Sequence, residues 1–255
     1  MNIGEIKEFL EEKSDLYNRP QFIETDPIQV PKAFSGKEDI EIAGFLTATI
    51  SWGNRKSIIQ NAHKLLHLLD NQPYDFITSA SEKELKMASE FVHRTFNHTD
   101  TLYFLQSLRS LYLHNGGLEI AFMEGFRQDM TVYSSLKQFR ELFFGLPGPD
   151  RTRKHLSDVT TGSAAKRLNM YLRWMCRKDN RGVDIGIWNG IPAAALMLPL
   201  DVHTGNVARK LGILKRKQND WKAVEEVMAV LRNFDPSDPV KYDFALFGLG
   251  AFEKF

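Results

Sequence analysis

Two residues of this chain have side chains and positions suited to covalent chemistry at a carbon atom. Lys166 lies in the first turn of a predicted helix that follows the turn Thr160–Ser163, and Asp201 directly precedes another predicted helix. A helix dipole disfavours a cation at its N-terminus, which favours a neutral amine able to form a Schiff base. The same dipole favours a carboxylate, and an ionised aspartate can activate a nucleophile or stabilise a cationic transition state. The two residues therefore form a candidate catalytic pair.

Both residues also have simpler explanations. Asp201 can serve only as the N-cap of its helix, because aspartate accepts hydrogen bonds from free backbone N–H groups. Lys166 can be an exposed surface lysine, and the turn before it can hold a phosphate through its backbone N–H groups. The distance between the two side chains decides between these explanations, because a catalytic pair requires a free lysine nitrogen within several ångströms of the carboxylate, in an open cleft. A large separation would favour an unrelated helical protein.

The elements that must position this pair are helices, because apolar residues recur with helical spacing along most of the chain. Strand-like alternation is scarce, so an all-α fold is predicted. Turn residues separate the helices at Asn71–Pro73, Asn115–Gly117, Gly145–Asp150 and Asp235–Pro239. The predicted helical segments are Ile3–Tyr17, Ile40–Ile50, Ser57–Asp70, Ser81–Val92, Thr99–His114, Gly117–Glu124, Met130–Phe144, Ala164–Arg177, Val202–Leu211 and Trp221–Phe234.

Composition excludes several classes of site. The chain has 255 residues and one cysteine, Cys176, so a disulfide framework and an all-cysteine zinc or iron–sulfur site are excluded. The seven histidines lack metal-ligand spacing, and no metal or cofactor is predicted. The N-terminal segment has neither the basic start nor the apolar run of a signal peptide, and no stretch approaches a membrane span. A cytoplasmic location without membrane contact is therefore expected.

Charge is unevenly distributed although the net charge is only +1. Residues 151–181 contain only two acidic side chains, Asp158 and Asp179, against nine basic ones. This segment predicts a basic face that suits a polyanionic partner, and an ordinary solvated helix face is the alternative. The basic residues are Arg151, Arg153, Lys154, Lys166, Arg167, Arg173, Arg177, Lys178 and Arg181.

A glycine-containing turn precedes Lys166, and further along the chain Asp201 lies in the segment PLDVHTGNVARKLG. These segments resemble those of the helix-hairpin-helix DNA glycosylase superfamily, in which a similar segment carries the catalytic aspartate. Upstream, FLTATISWGNR resembles the segment that places a wedge residue and an arginine against the lesion. The segments KRLNMYLRWM, VDIGIW and KYDFALFGLG look like an uncharacterised bacterial branch related to archaeal oxidised-guanine glycosylases. The resemblance covers roughly residues 40–250.

The resemblance implies an architecture and a reaction. It implies two helical lobes with a cleft between them, and the turn cluster Gly145–Asp150 is the candidate boundary, which gives approximate lobes 36–145 and 146–255 with residues 1–35 packing on the second lobe. A simple loop within one core is the alternative for this cluster. The resemblance also implies a monomeric base-excision glycosylase, with or without lyase activity, that removes a damaged base such as an oxidised purine from double-stranded DNA. In that reaction Lys166 attacks the sugar C1′ of a flipped nucleotide, and Asp201 activates the attack or stabilises the sugar cation.

The same resemblance assigns further residues. Core packing is the alternative for the aromatic residues, and a structural hydrogen bond is the alternative for His203. A second function, a non-catalytic nucleic-acid-binding protein on the same fold, is motivated by Ala164, where the usual hairpin has glycine, and by Ile50 at the wedge position. The expected DNA-binding residues are Trp52, Asn54, Arg55, Gly162, Ser163, Arg167, His203 and Arg209, and the expected base-pocket residues are Trp188, Phe244 and Phe247.

Overall fold

The computed structural model describes residues 1–255 and contains twelve α-helices and no β-strand, so the predicted all-α class is confirmed. No helix combines the length and the apolar character needed to cross a membrane. The helices are α1 (Ile3–Tyr17), α2 (Lys37–Thr49), α3 (Arg55–His67), α4 (Pro73–Ser79), α5 (Glu82–Ala88), α6 (His98–His114), α7 (Gly117–Asp129), α8 (Val132–Phe143), α9 (Lys166–Cys176), α10 (Val202–Lys210), α11 (Trp221–Phe234) and α12 (Tyr242–Ala251).

The helices begin where the sequence supplies capping residues. Asn2, Ser81 and Asn97 each accept a backbone N–H bond at the start of a helix, in α1, α5 and α6. Helix α4 was not predicted, because Pro73 was interpreted as a break. Pro73 is instead the first residue of α4, a position where proline fits because its missing N–H would have no partner within the helix.

One compact unit is formed by Met1–Glu24 together with Asp158–Phe255, so both ends of the chain belong to it. Helices α1 and α10 both pack against α12. The close approach of α1 depends on Gly248, because a Cβ atom there would lie only 2.1 Å from the ring of Tyr17. The long chain segment between α9 and α10 contains no α-helix and only one short 3-10 turn, Ala193–Ala195.

The second compact unit is formed by Thr25–Ser157. Helix α7 packs against α8, and Gly125 permits this because a Cβ atom there would lie 2.6 Å from the carbonyl oxygen of Ser134. The predicted lobe limits, residues 36–145 and 146–255, stay a prediction. Phenylalanine rings fill the interior of this unit, namely Phe45, Phe104, Phe122, Phe126, Phe139 and Phe143.

Candidate active site

A tightly folded turn sets the start of the helix that carries Lys166. Gly162 has a φ of +87°, in the left-handed region that glycine adopts without strain, and its carbonyl accepts the N–H of Trp221 at 2.9 Å. The Ser163 hydroxyl accepts the N–H of Ala165 at 3.2 Å, and Ala165 itself has a φ of +47°. Helix α9 then begins at Lys166, two residues after the predicted start at Ala164, and Lys166 lies in its first turn as predicted. The turn therefore fixes the backbone from which the Lys166 side chain extends.

Asp201 is the N-cap of α10, which confirms the predicted capping role. Its Oδ1 atom accepts the Thr204 N–H at 3.0 Å, and the Thr204 hydroxyl accepts the Asp201 N–H at 2.8 Å. The side chain of Asn219 donates to the Asp201 carbonyl at 2.9 Å and so fixes the same backbone. Capping occupies only Oδ1. The second carboxylate oxygen, Oδ2, makes no hydrogen bond to the protein and can interact with another group.

That other group is Lys166, whose Nζ lies 3.9 Å from Oδ2 of Asp201. The two side chains are 31% and 22% exposed, and the amine makes no hydrogen bond to the protein. Ion pairs of this exposure contribute only about 0–1 kcal/mol to folding, so the pair adds little to stability. Residues far apart in the sequence thus meet at the distance that a catalytic pair requires, each at the start of a helix.

A third ionisable side chain, Asp243 in α12, bears on this pair and was not predicted. Asp243 is 5% exposed, and its Oδ2 atom accepts a hydrogen bond from Arg173 while its Oδ1 atom has no partner. Burial raises the pKa of Asp243 to about 6, the charge of Arg173 opposes this rise, and the charge of Asp201 adds to it. The charge of Lys166 also acts on this carboxyl group. Sequence offers one weak signal, a single aspartate inside the apolar run of KYDFALFGLG.

The arginines of α9 do not form the exposed basic face that the charge pattern predicts. Arg173 binds Asp184 at 3.1 Å, and Arg177 at the end of α9 binds Asp184 at 2.9 Å and Asp238 at 2.8 Å. Both guanidinium groups are buried, and they lie over the ring of Phe244 at 4.5 and 5.4 Å. Their charges are therefore neutralised inside the unit.

The predicted base-pocket aromatics differ in their accessibility. Trp188 is buried against the ring of Tyr171, with 5.4 Å between ring centroids, and Phe244 is buried beneath the arginines of α9. Phe247 is half-buried and contacts the exposed His203 ring edge-to-face at 6.5 Å. His203 is the second residue of α10. Of the three aromatics, Phe247 is thus the one with surface available to a ligand near the start of α10.

The predicted DNA-binding arginines of this unit are both partly buried. Burial lowers the pKa of Arg167, the second residue of α9, to about 10. Arg209 donates to the carbonyl of Arg216 at 2.8 Å and to the side chain of Asn219 at 2.6 Å. Because Asn219 in turn holds the Asp201 carbonyl, Arg209 supports the backbone at the start of α10.

The remaining predicted DNA-binding residues belong to the unit formed by Thr25–Ser157. Asn54 is exposed and caps α3 by accepting the N–H of Ser57 at 3.2 Å, and Arg55 is the first residue of that helix. Trp52 is half-exposed, edge-on to His93 at 5.2 Å and stacked on His155 at 6.0 Å. The loop before α3 is therefore fixed by aromatic packing and by a cap.

Comparison with known proteins identifies a family. The chain matches the family described as "Protein of unknown function (DUF2400)" over residues 26–252, and it belongs to this family. Comparison with curated proteins gives no match, and neither does comparison with solved structures. The matched residues include both Lys166 and Asp201.

Proposed function

We propose that this chain is a DNA base-excision glycosylase with an associated lyase activity, acting on a damaged purine in double-stranded DNA. The proposal includes a helix-hairpin-helix glycosylase architecture and kinship with archaeal oxidised-guanine glycosylases. One observation carries it: the amine of Lys166 lies 3.9 Å from a carboxylate oxygen of Asp201 that makes no hydrogen bond to the protein. A lysine beside an available carboxylate, both partly exposed, is the arrangement that nucleophilic attack with charge stabilisation requires.

The proposed reaction assigns one role to each member of the pair. The target nucleotide leaves the base stack, which exposes its C1′ atom. The Lys166 ammonium group first loses a proton to solvent, and its nitrogen then attacks C1′ while the bond to the base breaks with its electron pair leaving on the base. Positive charge develops on the sugar, and Oδ2 of Asp201 stabilises that charge. The start of α9 supports the proposal, because the first N–H groups of a helix have no partner within the helix and can contact a phosphate. The N–H groups of Gly162, Ser163 and Ala165 in the preceding turn are already bonded within the protein.

The test is borohydride trapping on a panel of duplexes that each contain one damaged or mismatched base. We expect a covalent complex with at least one duplex and its loss in Lys166→Gln, because the trapped species is an imine of that lysine. Asp201→Asn keeps a capping side chain but removes the charge, so we expect base release to fall by about 100- to 1,000-fold. Lys178→Gln is the matched control, since Lys178 is an exposed lysine just beyond the end of α9 that donates to Asn189.

Two results would contradict the enzymatic proposal. Absence of trapping and of base release with every duplex, with Asp201→Asn behaving as the wild-type protein, would exclude the glycosylase. Salt-sensitive duplex binding without any chemistry would then favour the non-catalytic nucleic-acid-binding alternative. Absence of duplex binding even at low salt would exclude that alternative as well.

A further inference from the structure

The carboxyl group of Asp243 is held firmly at one oxygen and has no partner at the other. Arg173 donates to Oδ2, and Arg173 is itself fixed by Asp184 at 3.1 Å. Oδ1 is buried without a hydrogen bond. A buried polar atom without a partner costs about 1–3 kcal/mol, so such atoms are rare in folded proteins and call for an explanation. A group that must exchange a proton during a reaction is one explanation.

Two of the helices that contact Asp243 or its own helix begin at the catalytic pair. Lys166 and Arg173 are seven residues apart in α9, which places them two turns apart on the same face of the helix. Arg173, which donates to Asp243, and Lys166 therefore lie on the same face of α9. Helix α12 also packs against α10, which Asp201 caps. The charges of both Lys166 and Asp201 act on Asp243 in consequence.

We infer that Asp243 is the proton carrier of this site, which moves a proton from the nitrogen of Lys166 to the ring oxygen of the sugar. The inference rests on the proposed function and deepens it. After Lys166 has bonded to C1′ and the base has left, the nitrogen is a substituted ammonium. Asp243 accepts one proton from it. Asp243 then donates this proton to O4′ as the C1′–O4′ bond breaks and the C1′=N bond forms, which yields the protonated imine and the ionised carboxylate of Asp243 without any redox partner.

Asp243 suits this step better than Asp201 because the two carboxyl groups have different surroundings. Oδ1 of Asp201 accepts hydrogen bonds from Thr204, and its charge is required to stabilise the sugar cation. Burial raises the pKa of Asp243 to about 6. A carboxyl group whose pKa lies this close to neutral pH can both accept and donate a proton during a reaction. The charged groups that act on Asp243 are Arg173 and Lys166 from α9, Asp184 from the segment after α9, and Asp201 from the start of α10. Glu11, Asp235 and Asp238 act instead on the adjacent Tyr242.

The test measures two products in one single-turnover reaction: released base and borohydride-trapped protein. In Asp243→Asn we expect the ratio of trapped protein to released base to fall at least about 100-fold, the usual size of a lost proton transfer. Asp100→Asn is the matched control, because Asp100 is also buried and binds an arginine, Arg151, but belongs to the unit formed by Thr25–Ser157. This control can lower stability, but we expect it to leave the ratio unchanged.

A second measurement needs no variant and decides the question if Asp243→Asn does not fold. The ratio for the wild-type protein is expected to rise as the pH increases through about 6, because Asp243 must be ionised to accept the proton. Three results would overturn the inference and leave the glycosylase standing: base release with an unchanged ratio in Asp243→Asn, an equal fall of the ratio in Asp100→Asn, or a wild-type ratio that does not depend on pH. Absence of base release by the wild-type protein would refute the glycosylase, and the inference would fall with it.

Discussion

At the scale of single residues, Asp201 and Asp243 are the same type of side chain in different surroundings, and these surroundings give them different proposed roles. Asp201 lies at the surface and caps a helix, whereas Asp243 lies in the interior with one oxygen bound to Arg173. The difference does not come from the residues themselves, since the same carboxyl group is present in both. It comes from what the fold places around each one, and it has a measurable effect on stability.

We predict that Asp243 makes folding depend on pH between about 4 and 6. The unfolded chain ionises this carboxyl group near its ordinary pKa of 3.8, but the folded protein ionises it only near 6. Its contribution to stability is therefore fully present below pH 3.8 and is lost as the pH rises through about 6. The loss amounts to about 3 kcal/mol for a shift of about two pKa units.

Urea unfolding of the wild-type protein and of Asp243→Asn, at a series of pH values, measures this effect. The free energy of unfolding of the variant minus that of the wild type should increase across the window. Asp129→Asn provides the control, because hydrogen bonds from Ser134 and Thr131 lower the pKa of that exposed aspartate, so its effect should be constant above pH 4. A difference that also stayed constant for Asp243→Asn would contradict the prediction.

At the scale of elements, the start of α10 combines a structural role and a proposed catalytic role in one residue, and substitutions can separate them. Asp201→Ala removes the cap and should lower the free energy of unfolding by about 1 kcal/mol. Asp201→Asn keeps a good cap and should change it by less than half as much. Urea unfolding measures both variants. Equal losses in the two would show that the charge of Asp201, rather than its capping hydrogen bond, stabilises α10.

Helix starts were the most predictable part of the candidate site. Lys166 and Asp201 were each predicted at the beginning of a helix, because a turn or a capping residue next to an apolar repeat is a local signal. The buried roles of Arg173 and Asp243 could not be predicted in this way. Their partners lie far away in the sequence, and a count of charges along the chain does not show which of them are paired inside the fold.

At the scale of the whole molecule, helix α1 packs against α12 and so covers part of the unit that contains the candidate site. The packing involves buried residues on one face of α1, including Leu10. The Ser14 hydroxyl donates to the carbonyl of Lys241, and Tyr242 donates to Glu11. The support for Asp243 in α12 thus includes residues from the opposite end of the chain.

We predict that Leu10→Ala destabilises this unit by about 2–5 kcal/mol, because it leaves a cavity beneath α1. Leu16→Ala is the matched control on the same helix. Leu16 is exposed, so the change should be within about 0.5 kcal/mol. Hydrogen exchange followed by peptide is the measurement. Faster exchange should appear in peptides from residues 1–24 and 158–255. An equal loss of protection in peptides from residues 25–157 would contradict the prediction.

The contact between α1 and α12 also has a consequence for synthesis on the ribosome. Residues 25–157 are complete long before α12 emerges, so that unit can fold while translation continues. Helix α1 must wait for about 225 further residues before α12 begins, or roughly 10–45 s at ordinary elongation rates. Throughout that interval the apolar face formed by Ile6 and Leu10 has no native partner. The unit with Lys166 and Asp201 therefore completes its folding only after α12 has emerged, and the apolar face of α1 stays exposed to solvent until then.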